Sequence, residues 1–244
     1  MTKAIIIQAR MGSMRLPGKV LLSLGKTTIL EEVIRRCKAI PLADIVCCAI
    51  PFGAQDDQLA KAAKSFGAVV TRGSQSDVLS RYCDAAREIN ADIVMRIPAD
   101  KPLIDPIICG EVLKLLIDNN ADFASNNMPA SWPHGFDCEV FKSDILFQAD
   151  KATSSKEDRE HVTPWMRRNN DLKILSLNGP GGECINWRCT LDYKEDYDFI
   201  LSLFEKLDKP PAIPLFDDIS LVIEKHPELL KINSKWELMS RYAN

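Results

Sequence analysis

The sequence predicts an α/β protein built on an open, doubly wound and mostly parallel sheet. Short apolar runs without alternation, Ala4 to Ile7, Ile45 to Ile50, Ala68 to Thr71 and Ile93 to Ile97, suit strands covered on both faces. Between them, Ile29/Val33/Ile34/Cys37, Leu59/Ala62/Ala63/Phe66 and Val78/Leu79/Tyr82/Ala86 recur at helical spacing. Each strand–helix–strand step closes as a right-handed crossover, which wraps helices over both faces.

In order, the first run ends in the loop Gln8 to Lys19, and Thr28-Ile-Leu-Glu31 offers a capping box to the helix that follows. The turns Pro51-Phe52-Gly53, Thr71-Arg72-Gly73-Ser74 and Pro98-Ala99-Asp100-Lys101 follow the next three strands, so four loops converge on the carboxyl rim, where parallel sheets bind ligands. Asp105-Pro106 opens a helix running to Asn119, and Ala121 to Ala124 is a further strand. An irregular, proline-rich loop, Asn126 to Gly135, precedes the strand Cys138 to Phe141. Then come a helix Glu157 to Asn169, a strand Leu172 to Leu177, a turn Asn178 to Gly182 and a strand Arg188 to Leu191, which feeds Asp192 and a helix through Leu207. The tail, with Pro210-Pro211, Ile213-Pro214 and the helical Ile219 to Glu224, wraps round and closes the domain. The expected organisation is a single domain, 1–244: a nucleotide-binding core 1–125, a small β-containing insertion 126–190 and closing helices 191–244.

A net charge of −3 excludes a protein that coats nucleic acid, which needs a broad excess of Lys and Arg. No signal-peptide pattern and no long apolar run is present, so the expected location is cytoplasmic, away from membranes. Eight scattered cysteines lack C-x-x-C or zinc spacing, which predicts reduced, buried thiols with neither disulfide nor zinc.

The opening loop concentrates Arg10, Arg15 and Lys19 around Gly12, Ser13 and Gly18. Cations on a backbone that glycine lets approach closely suit a polyanion such as a nucleoside triphosphate. A Walker loop is excluded, because five residues rather than four separate Gly12 from Gly18 and Val20 follows Lys19; no G-x-G-x-x-G occurs either. Asp100 and Asp192, each placed at a strand end, can reach the same rim as hard oxygen ligands. Asp77 is either a nucleotide contact or a helix N-terminal acid, and Asp196 either supports Asp192 or is an exposed acid on a first helical turn.

The loop Gln8 to Lys19 resembles that of the cytidylyltransferases related to 3-deoxy-manno-octulosonate cytidylyltransferase, in the branch of spore coat polysaccharide biosynthesis protein F. The resemblance continues through Arg72-Gly-Ser74 with Asp77-Val-Leu79 and Arg81-Tyr82, Asp100-Lys-Pro-Leu-Ile-Asp-Pro106, Gly135-Phe-Asp137-Cys-Glu139-Val-Phe141, Arg159-Glu-His161-Val-Thr-Pro164, Thr190-Leu-Asp192-Tyr-Lys-Glu-Asp196 and His226-Pro-Glu-Leu229. It implies a nucleotide-diphospho-sugar transferase-like fold and Mg²⁺-dependent transfer of a cytidylyl group from CTP to an acceptor oxygen. It assigns the metal to Asp100 and Asp192, the phosphates to Arg10, Arg15 and Lys19, and the nucleotide to Gln8, Ala9, Gly12, Ser13, Arg72, Ser74 and Asp77. The segment with Asp137, Glu139 and His161 is implied to face the acceptor, a sugar acid or other acidic or phosphorylated small molecule, and to help form a homodimer. His161 is otherwise a structural histidine. Lys101, Arg159 and Arg188 are counter-charges for an acidic acceptor.

The chain departs from the family pattern at Pro98-Ala-Asp-Lys101: the family carries a Gly directly before the metal aspartate and a small residue after it, whereas Ala99 and Lys101 stand there in this sequence. Lys101 either displaces a metal, adds an anion contact or points away. Two other classes fit the fold: a nucleotide-sugar-dependent glycosyltransferase, for which Asp100-Lys-Pro supplies only half of the Asp-x-Asp motif, and a non-catalytic nucleotide-binding protein.

Overall fold

The computed structural model describes residues 1–207 and 213–236. Strands β1 (Lys3–Gln8), β4 (Ile45–Pro51), β5 (Val69–Gly73) and β6 (Ile93–Pro98) run parallel, with helices α1 (Ile29–Lys38), α2 (Asp57–Ser65) and α3 (Val78–Glu88) as crossovers. The short strands β2 (Ser23–Leu24) and β3 (Thr27–Thr28) form a hairpin before α1, whose N-cap Thr28 accepts from Glu31 N at 3.2 Å. Beyond β6 lie α4 (Pro106–Asp118), β7 (Phe123–Ser125), β8 (Glu139–Lys142), α5 (Ser143–Ala152), α6 (Lys156–His161), α7 (Pro164–Arg167), β9 (Ile174–Ser176), α8 (Lys194–Lys206) and α9 (Phe216–Lys225).

The main sheet has the order β5-β4-β1-β6-β8-β7-β9. The chain walks from β1 outward through β4 to β5 and then returns to β1's other side at β6. That reversal makes the gap between the β1 and β6 loops a topological switch point, where the two loops splay and leave a crevice. β8 is antiparallel to both neighbours, and β9 pairs parallel with β7. The strands of 126–190 thus extend the main sheet.

One apolar face of β1, β4 and β6, with Ile5, Ile7, Cys48, Ile50, Met95 and Ile97, packs against residues of α1, α2 and α4. The other, with Ala4, Ile6, Cys47, Ala49 and Val94, packs against α3 and α5. A third cluster joins Leu24, Leu103, Phe136, Phe199 and Ile219, so the closing helices α8 and α9 seal the carboxyl side of the core. Arg36, fully buried, ties this layer down by donating to Pro214 O at 2.8 Å and Ile104 O at 3.2 Å. All eight cysteines are buried. Among the described residues, no helix is long and apolar enough to cross a membrane.

Several sequence expectations need correction. Arg188 to Leu191 is not a strand: it makes one isolated bridge, His134 with Arg188, and then turns so that Leu191 N donates to Asp100 O at 2.9 Å. The expected helix Glu157 to Asn169 is two short ones, broken where Val162 takes φ 73° with its side chain fully buried and Pro164 starts a new helix. β5 continues through Gly73, so the turn there begins at Ser74. Helix α5 has little sequence signal, because its buried Ile145, Leu146 and Ala149 supply only one short apolar stripe. Pro210-Pro211 lies outside the described residues.

Candidate functional site

The opening loop leaves β1 at the switch point. Ala99 N donates to Gln8 O at 3.0 Å, which keeps the exits of β1 and β6 side by side. Met11 N donates to Asp56 Oδ1 at 2.7 Å, and Met11 O accepts from Ser13 N at 2.9 Å and Gly18 N at 3.1 Å. The loop therefore closes on itself. Gly18 at φ 69° makes the left-handed turn that this closure requires, and it sends Lys19 inward.

Lys19 is 9 % exposed and its ammonium donates to Asp100 Oδ2 at 2.9 Å, Asp192 Oδ1 at 2.9 Å and Leu191 O at 2.6 Å. Burial disfavours its charge, but attraction first from Asp100 and then from Asp192 outweighs it and holds the pKa above the ordinary lysine value. Burial likewise opposes the charge of Asp100, and Lys19 reverses the balance, leaving the carboxyl below its ordinary value. Both groups are thus charged at neutral pH.

Asp192 gathers two further cations: Arg15 Nη2 at 3.0 Å from Oδ1 and Arg188 Nη2 at 3.4 Å from Oδ2. Asp196 fixes this turn. It is fully buried, accepts from Asp192 N at 2.9 Å, Tyr193 N at 3.0 Å and Asn233 Nδ2 at 3.0 Å, and pairs with Arg188 Nε at 2.8 Å. Of its two sequence readings, the structure selects the support for Asp192.

The departure at Lys101 resolves as a strut. Its buried ammonium donates to Asp137 Oδ2 at 2.6 Å and Asp137 O at 2.7 Å. Burial alone would raise the Asp137 carboxyl, but Lys101 foremost holds it well below the ordinary range. Glu139 spends both oxygens inside the protein, Oε2 on Arg96 at 2.9 Å and Oε1 on Thr163 at 2.9 Å and Arg167 Nε at 2.7 Å. Asp77 caps α3 by accepting from Ser80 N at 2.9 Å and also accepts from Arg159 Nε at 2.9 Å. Ser74 Oγ accepts from Asp77 N at 3.1 Å, and Arg72 bridges Pro51 O at 2.8 Å and Asp57 Oδ1 at 2.7 Å.

Arg10 is exposed and within electrostatic reach of Arg81. Gly12 is exposed too, and a Cβ there would have no atom within 4 Å, so its backbone faces open space. Exposed His161 ends α6, and that helix packs on α3. The structure thus brings Arg15, Lys19, Asp100 and Asp192 together through direct contacts, while Asp77 and Glu139 sit in other contact networks.

Sequence reasoning missed Asp56, Leu191 O, Tyr193 and Asn233. Asp56 stands in Gln55-Asp56-Asp57 before a helix, which is indistinguishable in sequence from a solvated helix start. Leu191 O is a backbone group and carries no side-chain signal.

The oxygens that converge on the Lys19 ammonium are hard donors of the kind that Mg²⁺ takes. Among the described residues there is no group of three or more acidic, His or Cys side chains poised for a metal. Two carboxylates completed by phosphate oxygens fit magnesium, which is held in that manner in nucleotide sites.

A parallel sheet reversing between β1 and β6, with a cation-rich loop facing two aspartates across the reversal, is a layout suited to a nucleotide. The chain belongs to the cytidylyltransferase family, which residues 4–207 match. A solved cytidylyltransferase structure from Leptospira borgpetersenii superposes with a TM-score of 0.89 at 33% identity, over 94% of this chain and 97% of that one. The spore coat polysaccharide biosynthesis protein SpsF of Bacillus subtilis is 29% identical over 91% of this chain and 94% of its own length. A CMP:2-keto-3-deoxy-manno-octonic acid synthetase solved with CTP shares the fold, at a TM-score of 0.63 and 16% identity over 84% of this chain and 99% of that one. Family membership makes the chain a nucleotidyltransferase and sets aside the glycosyltransferase and non-catalytic alternatives.

Proposed function

We propose that the chain transfers CMP from CTP to an oxygen of an acidic or phosphorylated small molecule, a sugar acid foremost, and that the product feeds a surface polysaccharide. The acceptor oxygen attacks the α-phosphorus, the bond to the β-bridging oxygen breaks, pyrophosphate leaves and the acceptor proton passes to solvent. The observation that carries this reading is Lys19 held between Asp100 and Asp192 at the switch point.

In this reading Arg10, Arg15 and Lys19 neutralise the β- and γ-phosphates, and Gly12 and Ser13 present donors from the open side of the loop. Gln8, Ala9, Arg72, Ser74 and Asp77 line the nucleoside side. Asp100 and Asp192 would hold Mg²⁺ between them, and Lys19, which contacts both carboxylates, would stand beside the phosphates. When bound, the metal offsets phosphate charge in the transition state. Lys101 fixes Asp137 on the acceptor side, with Glu139 and His161 in that segment. A homodimer in the cytoplasm completes the proposal.

The test is incubation of purified protein with CTP, Mg²⁺ and a panel of sugar acids and phosphorylated acceptors, read by pyrophosphate release and mass spectrometry. A CMP conjugate is expected. No conjugate with any acceptor, together with no CTP binding by calorimetry, overturns the reading.

A further inference from the structure

Arg15 has a long side chain on an exposed loop, and its side chain is 53% exposed. A guanidinium so placed ordinarily samples many rotamers and loses that freedom on capturing a phosphate. Here its freedom is already restricted. Nη2 donates to Asp192 Oδ1 at 3.0 Å, Nη1 to Tyr193 Oη at 3.4 Å, and the guanidinium carbon lies 5.1 Å from the Tyr193 ring centre.

Tyr193 is fixed in its turn. Its ring stacks on Trp236, with centroids 3.4 Å apart and planes 6° apart. Trp236 Nε1 donates to Glu195 Oε2 at 2.9 Å, and Trp236 N to Asn233 O at 3.1 Å. Asn233 Nδ2 in turn donates to Arg188 O at 2.9 Å and to Asp196 Oδ1 at 3.0 Å. Residues 233–236 are therefore bolted to the turn that carries Asp192. They lie beyond residue 207, where the match to the family model ends.

We propose that Tyr193 and Trp236 are positioning residues for Arg15. The stack sets the plane of the tyrosine ring, and the ring and its hydroxyl hold the guanidinium beside Asp192, ready to meet the terminal phosphates. Arginine has five N–H donors, so the two protein contacts leave three for a ligand. The proposal rests on the reading of the loop as a triphosphate cradle.

Calorimetry on the full chain tests it, with inorganic tripolyphosphate and with CTP plus Mg²⁺ as separate probes. Trp236→Ala is expected to weaken both roughly three- to tenfold, the range of one cation–π contact. Trp236→Phe, which keeps a flat ring, restores most of the affinity. Arg15→Ala/Trp236→Ala binds no more weakly than Arg15→Ala alone, an outcome that a general loss of structure would not produce. Wild-type affinity in Trp236→Ala, or additive losses in the double variant, overturns the proposal. Should Trp236→Ala not fold, Tyr193→Phe serves, since it removes only the hydroxyl contact; unchanged affinity there counts against the idea. If the wild type binds tripolyphosphate as tightly as CTP, the cytidylyl reading fails while the Arg15–Trp236 coupling is still read. No polyphosphate binding of either kind overturns both.

Discussion

The ammonium of Lys19 stands 2.9 Å from Asp100 Oδ2, and the two residues come from loops on either side of the sheet's reversal. The contact joins the opening loop to the β6 exit at the place where a parallel sheet opens. Asp192 completes it from far along the chain.

Asp100→Asn removes one negative charge while keeping the shape of the side chain. CTP-dependent pyrophosphate release should fall by about 10²–10³-fold, the scale of losing one electrostatic partner of a phosphoryl transition state. The thermal midpoint should move little, because Asp100 is partly exposed and the amide can still accept from Lys19. Parallel activity and melting measurements check this, and near-wild-type turnover would remove Asp100 from the reaction.

Lys19→Met leaves the carboxylates of Asp100 and Asp192 facing each other without their shared cation. The melting temperature should drop, and added Mg²⁺ should recover part of the loss, more than the shift it gives in the wild type. A thermal-shift titration with Mg²⁺ reads the difference. No magnesium-dependent recovery would count against assigning the metal to these two aspartates.

Lys101→Met strands the Asp137 carboxylate in a buried site. Breaking such a pair costs about 3–5 kcal/mol, read from chemical denaturation. The wild-type pH dependence follows from the same pairs. Asp100, Asp137 and Glu139 all have folded pKa values below their ordinary ones, so the folded state binds fewer protons than the unfolded chain in acid. Their stabilisation is complete above the ordinary carboxyl values and is lost as pH falls through the lowered folded values. Stability should be level from pH 7 to about pH 5 and decline below about pH 4.5. In Lys101→Met burial raises the stranded Asp137 carboxyl, which takes up a proton on acidification, so the stability gap to the wild type should be widest near pH 7 and narrow as pH falls.

Asp56→Ala deletes the acceptor for Met11 N, a contact far in sequence from the loop it shapes. CTP affinity should fall about three- to tenfold, because the loop must then be ordered on binding. Asp56→Asn, which keeps an acceptor oxygen, should bind near the wild-type level. Calorimetry on the two variants decides whether the hydrogen bond or the charge matters.

Gly135→Ala should be poorly tolerated. Gly135 has φ 113°, and a Cβ would collide with the Cys189 carbonyl. His134 N donates to Trp187 O at 3.1 Å and Cys189 N to His134 O at 2.7 Å, so this close approach seats the 187–192 segment. A loss of about 3 kcal/mol is expected from strain and overlap together, with reduced soluble yield.

The sequence by itself determined the sheet class, the rim loops and the cation-rich character of Gln8 to Lys19, while the pair Asp100 and Asp192 was named through the family resemblance. These features are local: buried parallel strands are continuous apolar runs, and glycine with clustered charge marks a loop that meets an anion. Only the tertiary structure decided that Lys19 stands between the aspartates, that Lys101 turns away to Asp137, that Arg188 to Leu191 is no strand and that Asp196 is buried rather than exposed. Each depends on residues tens of positions apart whose side chains compete for the same partner. Charge type can be read from a residue's identity, but its partner is set by how the chain crosses itself. That is why Lys101, adjacent to Asp100 in the chain, serves Asp137, while Lys19, far away in sequence, serves Asp100.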